Sequence, residues 1–222
     1  MKIAFLHRFL PHKEKLVQVT KSLDKKVQFE IADASRRVFL ENSFDVIYSR
    51  DTILHIADKQ DLLRRFHTWL KPGGKLLITD YCCGETPWSV PFEEYVRQRG
   101  YFLHTVQRYG QLLREAGFTG VRAEDRTRQF ADILQRELQR IEGERAAFLQ
   151  EFSEADYHYI VDGWEEKVRR CKFGDQRWGL FFAKKPAEPG SRRACGSPEE
   201  TAIAESGPQT ESGGRGAITP AL

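Results

Sequence analysis

The chain has 222 residues, a formal net charge of +3 and 12% aromatic residues, which is enough for one sizeable core. It has no basic run of the kind a nucleic-acid surface needs. Cys82, Cys83, Cys171 and Cys195 show neither metal-ligand spacing nor a secreted disulfide framework. No apolar run reaches the length of a membrane span, and His7 and Arg8 break the apolar start without a cleavage pattern after it, so a cytoplasmic location is the default expectation.

Strands and helices alternate along the chain. Residues 27–32 read as a short strand, and residues 44–48, after the polar turn at 41–43, as a buried one. Between 57 and 70, Leu62, Leu63, Phe66, Trp69 and Leu70 recur at helical spacing, with Asp58 as a cap. The turn Lys71, Pro72, Gly73 and Gly74 stops that helix, and the apolar residues 75–79 make the next strand. Thr105 and Gly117 bracket a helix over 106–116. A strand follows at 118–123. A long helical region then starts at Thr127, with Phe130, Ile133, Leu134, Leu138 and Ile141 inward. Ser153 and Asp156 form a capping box for a last helix carrying Tyr157, Ile160, Val161, Trp164 and Val168, and residues 178–183 are the final strand. Residues 187–222 hold six Gly, four Pro and no aromatic residue, and read as a disordered, weakly acidic tail. This order predicts an α/β fold with a parallel sheet covered on both faces.

In such sheets ligands sit beyond the carboxyl ends of the strands. Asp33, the group Ser49, Arg50 and Asp51, and the pair Asp80 and Tyr81 all fall there.

The run 42–55, with Ser49, Arg50, Asp51, Leu54 and His55, resembles the fourth-strand region of phosphoethanolamine N-methyltransferases. Residues 70–82 resemble their fifth-strand region, and 94–101, 123–127, 162–164 and 176–179 match further along in the same order. The likeness is greatest to the second domain of plant-type two-domain enzymes and covers 27–185. It implies a Rossmann-like methyltransferase fold over residues 25–186, with residues 1–24 divergent. It also implies S-adenosylmethionine as cofactor and a small phosphobase, phosphoethanolamine or its mono- and dimethyl forms, methylated toward phosphocholine.

Site residues follow from the resemblance. His55 matches the base that must free the amine lone pair, and Asp51 a carboxylate near the substrate ammonium. Tyr81, Tyr95, Arg99, Tyr101 and Lys167 match phosphobase-binding positions. Asp33, Ala34 and Arg50 match the cofactor side. Each has a plainer reading. His55 can be a helix-entry residue packed on the sheet, and Asp51 a helix cap. Arg50 can belong to a surface ion pair, Tyr95 and Arg99 to an i, i+4 pair, Tyr101 to the core, and Asp33 to a turn.

Gly73 is the first glycine, so no Gly-rich cofactor loop precedes the matching region. The expectation is therefore a sheet incomplete on its N-terminal side, leaving residues 44–48 with an open edge. Residues 2–6 offer a substitute strand there, and residues 14–23 a helix. The same gap supports an alternative: a catalytically impaired relative that binds phosphobase or a fuller methyltransferase chain.

Overall fold

The structure is a computed structural model, and it describes residues 3–6, 30 and 32–187. Most of the expected strand at 27–32, the helix at 14–23 and nearly all of the tail lie outside those residues. Glu30 and Ala32, which are described, are not in a strand.

Among the described residues, five strands form one sheet in the order β1-β2-β3-β5-β4. They are β1 (Ile3–Leu6), β2 (Phe44–Arg50), β3 (Leu70–Cys83), β4 (Thr119–Asp125) and β5 (Gln176–Lys184). The helices are α1 (Lys59–Trp69), α2 (Val90–Arg99), α3 (Val106–Glu115), α4 (Thr127–Gly143), α5 (Arg145–Glu151) and α6 (Glu154–Phe173). A 3-10 turn, Ile53–His55, follows β2.

The edge expected to stay open is covered. β1 pairs in parallel with β2, from Ile3 opposite Val46 to Leu6 opposite Ser49, so the short apolar start does act as a strand. The expectation of a wholly parallel sheet is corrected. β1, β2 and β3 run parallel, but β5 is inserted between β3 and β4 and runs against both. A β-α-β alternation says nothing about direction once three helices, α4 to α6, separate two strands, because the chain can then return from either end.

Local signals place most boundaries. Asp58 accepts a hydrogen bond from the Asp61 amide at 2.9 Å and starts α1. Leu62, Leu63, Phe66, Trp69 and Leu70 are all buried, as their spacing predicts. The helix ends before Lys71, yet the following turn is no gap: Leu70 already pairs with Phe44, and the ladder resumes at Lys75 opposite Val46 after an irregularity. Thr105 caps α3 through the Arg108 amide, and the Ser153–Asp156 capping box opens α6. Ile133, expected inward, is 44% exposed, and within α4 only Thr127 and Leu134 are buried.

The core gathers on one face of the sheet. Ile47, Leu76, Ile78, Phe181 and Ala183 meet Leu63 and Phe66 of α1 and Tyr109, Leu112 and Leu113 of α3. Gly179 has no room for a side chain, since a Cβ there would lie 2.4 Å from the Phe181 ring and 3.1 Å from Cys82 Sγ. Side chains alternate across the sheet, so Trp178 and its cross-strand partner Tyr81 face the other way, toward Phe130 of α4.

Candidate active site

Parallel pairing carries the ends of β2 and β3 to the same rim of the sheet. At that rim the Asp51 amide donates to Thr79 O at 2.8 Å, and Asp51 takes a left-handed backbone (φ 48°). For a residue with a Cβ that conformation costs about 1–3 kcal/mol, and such strain clusters where a side chain must be aimed. The Asp51 carboxylate accepts from Trp178 Nε1 at 2.9 Å, and Arg50 Nε stands 4.0 Å from its second oxygen. Arg50 itself is exposed.

His55 sits at the end of the 3-10 turn, half-buried. Its ring meets the Tyr101 ring edge-on at 5.0 Å between centroids. Tyr101 in turn stands 6.4 Å from Tyr81 and 5.7 Å from Tyr95. The structure therefore joins one histidine and three tyrosines that are scattered in the sequence.

Tyr95 and Arg99 lie on α2, a helix that the sequence marks only by its family match. Ser89 Oγ, just before α2, donates to Asp175 Oδ2 at 2.5 Å, and the amides of Gly84 and Ser89 also bond Asp175. After α2, Gly100 takes a left-handed turn and the Phe102 amide donates to Leu54 O at 2.8 Å. The segment is thus pinned at both ends, and Tyr101 is delivered beside His55.

Cations border the aromatic group. Arg99 lies 5.8 Å from the Tyr95 ring centroid, which also satisfies the plainer i, i+4 reading, and Arg170 lies 3.9 Å over the same ring. Burial, then the charges of Arg170 and Arg99, push the Lys167 ammonium below its ordinary pKa, with Asp51 acting in the other direction. Lys167 therefore lies within electrostatic reach of both the guanidinium pair and the carboxylate. Burial raises the Tyr81 hydroxyl well above the usual range, with Asp51 adding to the effect. It stays a neutral donor at physiological pH.

Asp33 and Ala34 lie elsewhere. Asp33 Oδ1 accepts from the Ser35 amide and hydroxyl at 2.8 and 2.6 Å, Asp33 Oδ2 is 3.5 Å from Arg36, and Ser35 O accepts from Arg65 of α1. None of these partners belongs to the aromatic group. The structure thus brings together Arg50, Asp51, His55, Tyr81, Tyr95, Arg99, Tyr101 and Lys167, while Asp33 bonds within its own turn to Ser35 and Arg36 and Ala34 stands beside it in the chain. Sequence reasoning missed Arg170 and Trp178. Arg170 is one turn beyond Lys167 on the same helix, which was a usable signal. Trp178 lies in the family-like run 176–179, but nothing local ties it to Asp51, 127 residues away.

Chemically, the group offers a base, a carboxylate for a cation, aromatic faces for an ammonium and several donors for a dianion. Among the described residues no helix is long and apolar enough to cross a membrane.

Residues 7–123 match the family model described as a methyltransferase domain. The chain is 56% identical over 163 residues to phosphoethanolamine N-methyltransferase 1 of Arabidopsis thaliana, which takes in 73% of this chain and 33% of the relative. It is 41% identical over 165 residues to the phosphoethanolamine N-methyltransferase of Plasmodium falciparum, 73% of this chain and 62% of that one. Phosphoethanolamine N-methyltransferase 2 of Haemonchus contortus, solved with phosphomonomethylethanolamine and S-adenosylhomocysteine, superposes with a TM-score of 0.74 at 38% identity. That superposition covers 77% of this chain and 40% of the other. The chain thus spans about a third of the plant relative's length and under two thirds of the parasite's.

Proposed function

Since the chain belongs to the methyltransferase-domain family, with phosphoethanolamine N-methyltransferases among its relatives, we propose that it serves S-adenosylmethionine-dependent N-methylation of phosphoethanolamine or its mono- and dimethyl forms, toward phosphocholine. The observation that carries this reading is the joined set of His55, Tyr81, Tyr95 and Tyr101, bordered by Arg99, Lys167 and Asp51.

The acceptor is a small zwitterion, and the cluster has a part for each end. Arg99, Lys167 and the tyrosine hydroxyls hold the phosphate, and Arg170 adds a guanidinium behind Tyr95. Asp51 and the tyrosine faces hold the ammonium. His55 accepts the ammonium proton, which frees the nitrogen lone pair for the new N–C bond. Trp178 keeps one Asp51 oxygen occupied and so fixes where the other points.

On the donor's side the described residues fit one flank. Arg50 presents an exposed guanidinium at the tip of β2, suited to a carboxylate, and Asp33 with Ala34 offers an acceptor and a small apolar surface for a purine. Bound S-adenosylmethionine supplies a methyl group on a sulfonium, which departs as the neutral thioether.

Titration calorimetry on the full chain tests the reading. Phosphocholine and S-adenosylhomocysteine are each expected to bind saturably, and Arg99→Ala is expected to weaken phosphocholine by about tenfold or more. Unchanged phosphocholine affinity in that variant removes the acceptor assignment. Phosphocholine binding with no binding of S-adenosylhomocysteine favours instead a phosphobase-binding relative without turnover.

A further inference from the structure

The turn that carries His55 is held at more points than three residues need. Ile53 O accepts from the Ile56 amide at 2.9 Å and from Lys59 Nζ at 2.8 Å, and Ile56 O accepts from the same ammonium at 2.9 Å. The Leu54 amide donates to Asp80 Oδ1 at 3.2 Å, and Leu54 O accepts from the Phe102 amide at 2.8 Å. On the far side, Tyr109 OH donates to Asp80 Oδ2 at 3.3 Å, with its ring stacked 4.2 Å from Phe181.

Asp80 is 0% exposed and Lys59 1%. Burial pushes the Asp80 carboxyl up and the Lys59 ammonium down, and each side chain's field opposes the other's shift. Two buried ions are a poor source of stability, because well-packed apolar residues in their place often do as well. What this pair adds is geometric. Lys59 grips the carbonyls on both sides of His55, and Asp80 grips the amide immediately before it.

We propose that Asp80 and Lys59 are positioning residues for His55, fixing the turn so that the imidazole stays against Tyr101 and faces the acceptor. The proposal rests on the reading of His55 as the base. Neither side chain touches substrate; both act through the backbone. A base displaced by an ångström loses much of its rate while the anchors for the phosphate stay in place.

The test uses the full chain labelled with carbon-13 and nitrogen-15 at histidine, the His55 signals being assigned by their loss in His55→Gln. In the wild type His55 gives one narrow set of ring signals with a through-space contact to the Tyr101 ring. In Asp80→Asn and in Lys59→Met those signals split or broaden and the contact weakens. Methyl transfer falls about tenfold to a hundredfold in kcat, with acceptor KM and phosphocholine affinity unchanged. If either single variant fails to fold, the combined Asp80→Asn and Lys59→Met variant, which removes both charges, gives the same readout. A folded variant with the wild-type His55 signals, the Tyr101 contact and an unaltered kcat overturns the proposal. If His55→Gln keeps the wild-type rate, the reading of His55 as base falls, while the ring contact still decides whether the pair fixes the turn.

Discussion

The two flanks of β3 are supported very differently. On one side β5 pairs with it without interruption from Lys75 to Cys83, and β4 lies beyond. On the other, β2 pairs through an irregular register, and among the described residues β1 adds only Ile3–Leu6. Of the residues proposed for the acceptor, Lys167 and Arg170 lie on α6, which leads into β5, Tyr81 lies on β3 itself, and Asp51 and His55 follow β2. Arg50, Asp33 and Ala34 belong to the second. Among the described residues the proposed site thus rests on unequal halves, and the β5 side has more paired backbone beneath it.

The largest effect expected from this contrast is on stability. Phe181 sits fully buried at the centre of the stronger flank, so Phe181→Ala is expected to cost about 3–5 kcal/mol in urea unfolding. A loss under about 1 kcal/mol, closer to that of a surface change, would mean that β5 does not anchor the core.

A smaller effect probes the cluster that this flank carries. Lys167→Met is expected to weaken phosphocholine by about tenfold to a hundredfold in calorimetry. In the wild type, affinity rises as pH passes about 6, where a phosphate monoester takes its second charge. It falls on the alkaline side at a pH below 10.5, because the Lys167 ammonium is depressed from that value. The alkaline fall should vanish in Lys167→Met. The linkage to folding has the opposite sense. The unfolded chain binds more protons at this lysine between its folded value and 10.5, so the stability of the free chain gains as pH climbs through that window.

The smallest effect needs no mutation. Amide hydrogen exchange is expected to open the β1–β2 pairing well before the β3–β5 ladder, since local stability follows buried contacts and paired neighbours. Equal protection on both flanks would erase the contrast.

Where local chemistry sets structure, the sequence was a good guide. The Asp58, Thr105 and Ser153 caps, the apolar stripe of α1 and the short strand at the start are all recovered. The errors lie where distance along the chain matters. Antiparallel entry of β5 depends on pairing with both β3 and β4, which no local pattern encodes. Ile133 fits an inward spacing, yet α4 buries too narrow a face to include it. In the site, a family likeness supplied the tyrosines, His55, Arg99 and Lys167. The partners that hold them, Trp178 on Asp51 and Asp80 on Leu54, come from residues 127 and 26 positions away.

The bond between the Trp178 indole and Asp51 places a fluorophore at the rim of the sheet. Trp178 is also stacked on Phe130 at 5.4 Å, so its emission is sensitive to any charge that comes to rest beside the carboxylate. With Trp69, Trp88 and Trp164 replaced by phenylalanine, Trp178 is the sole tryptophan emitter, and the proposed arrival of a cation beside Asp51 is tested as a shift in emission without dye or tag.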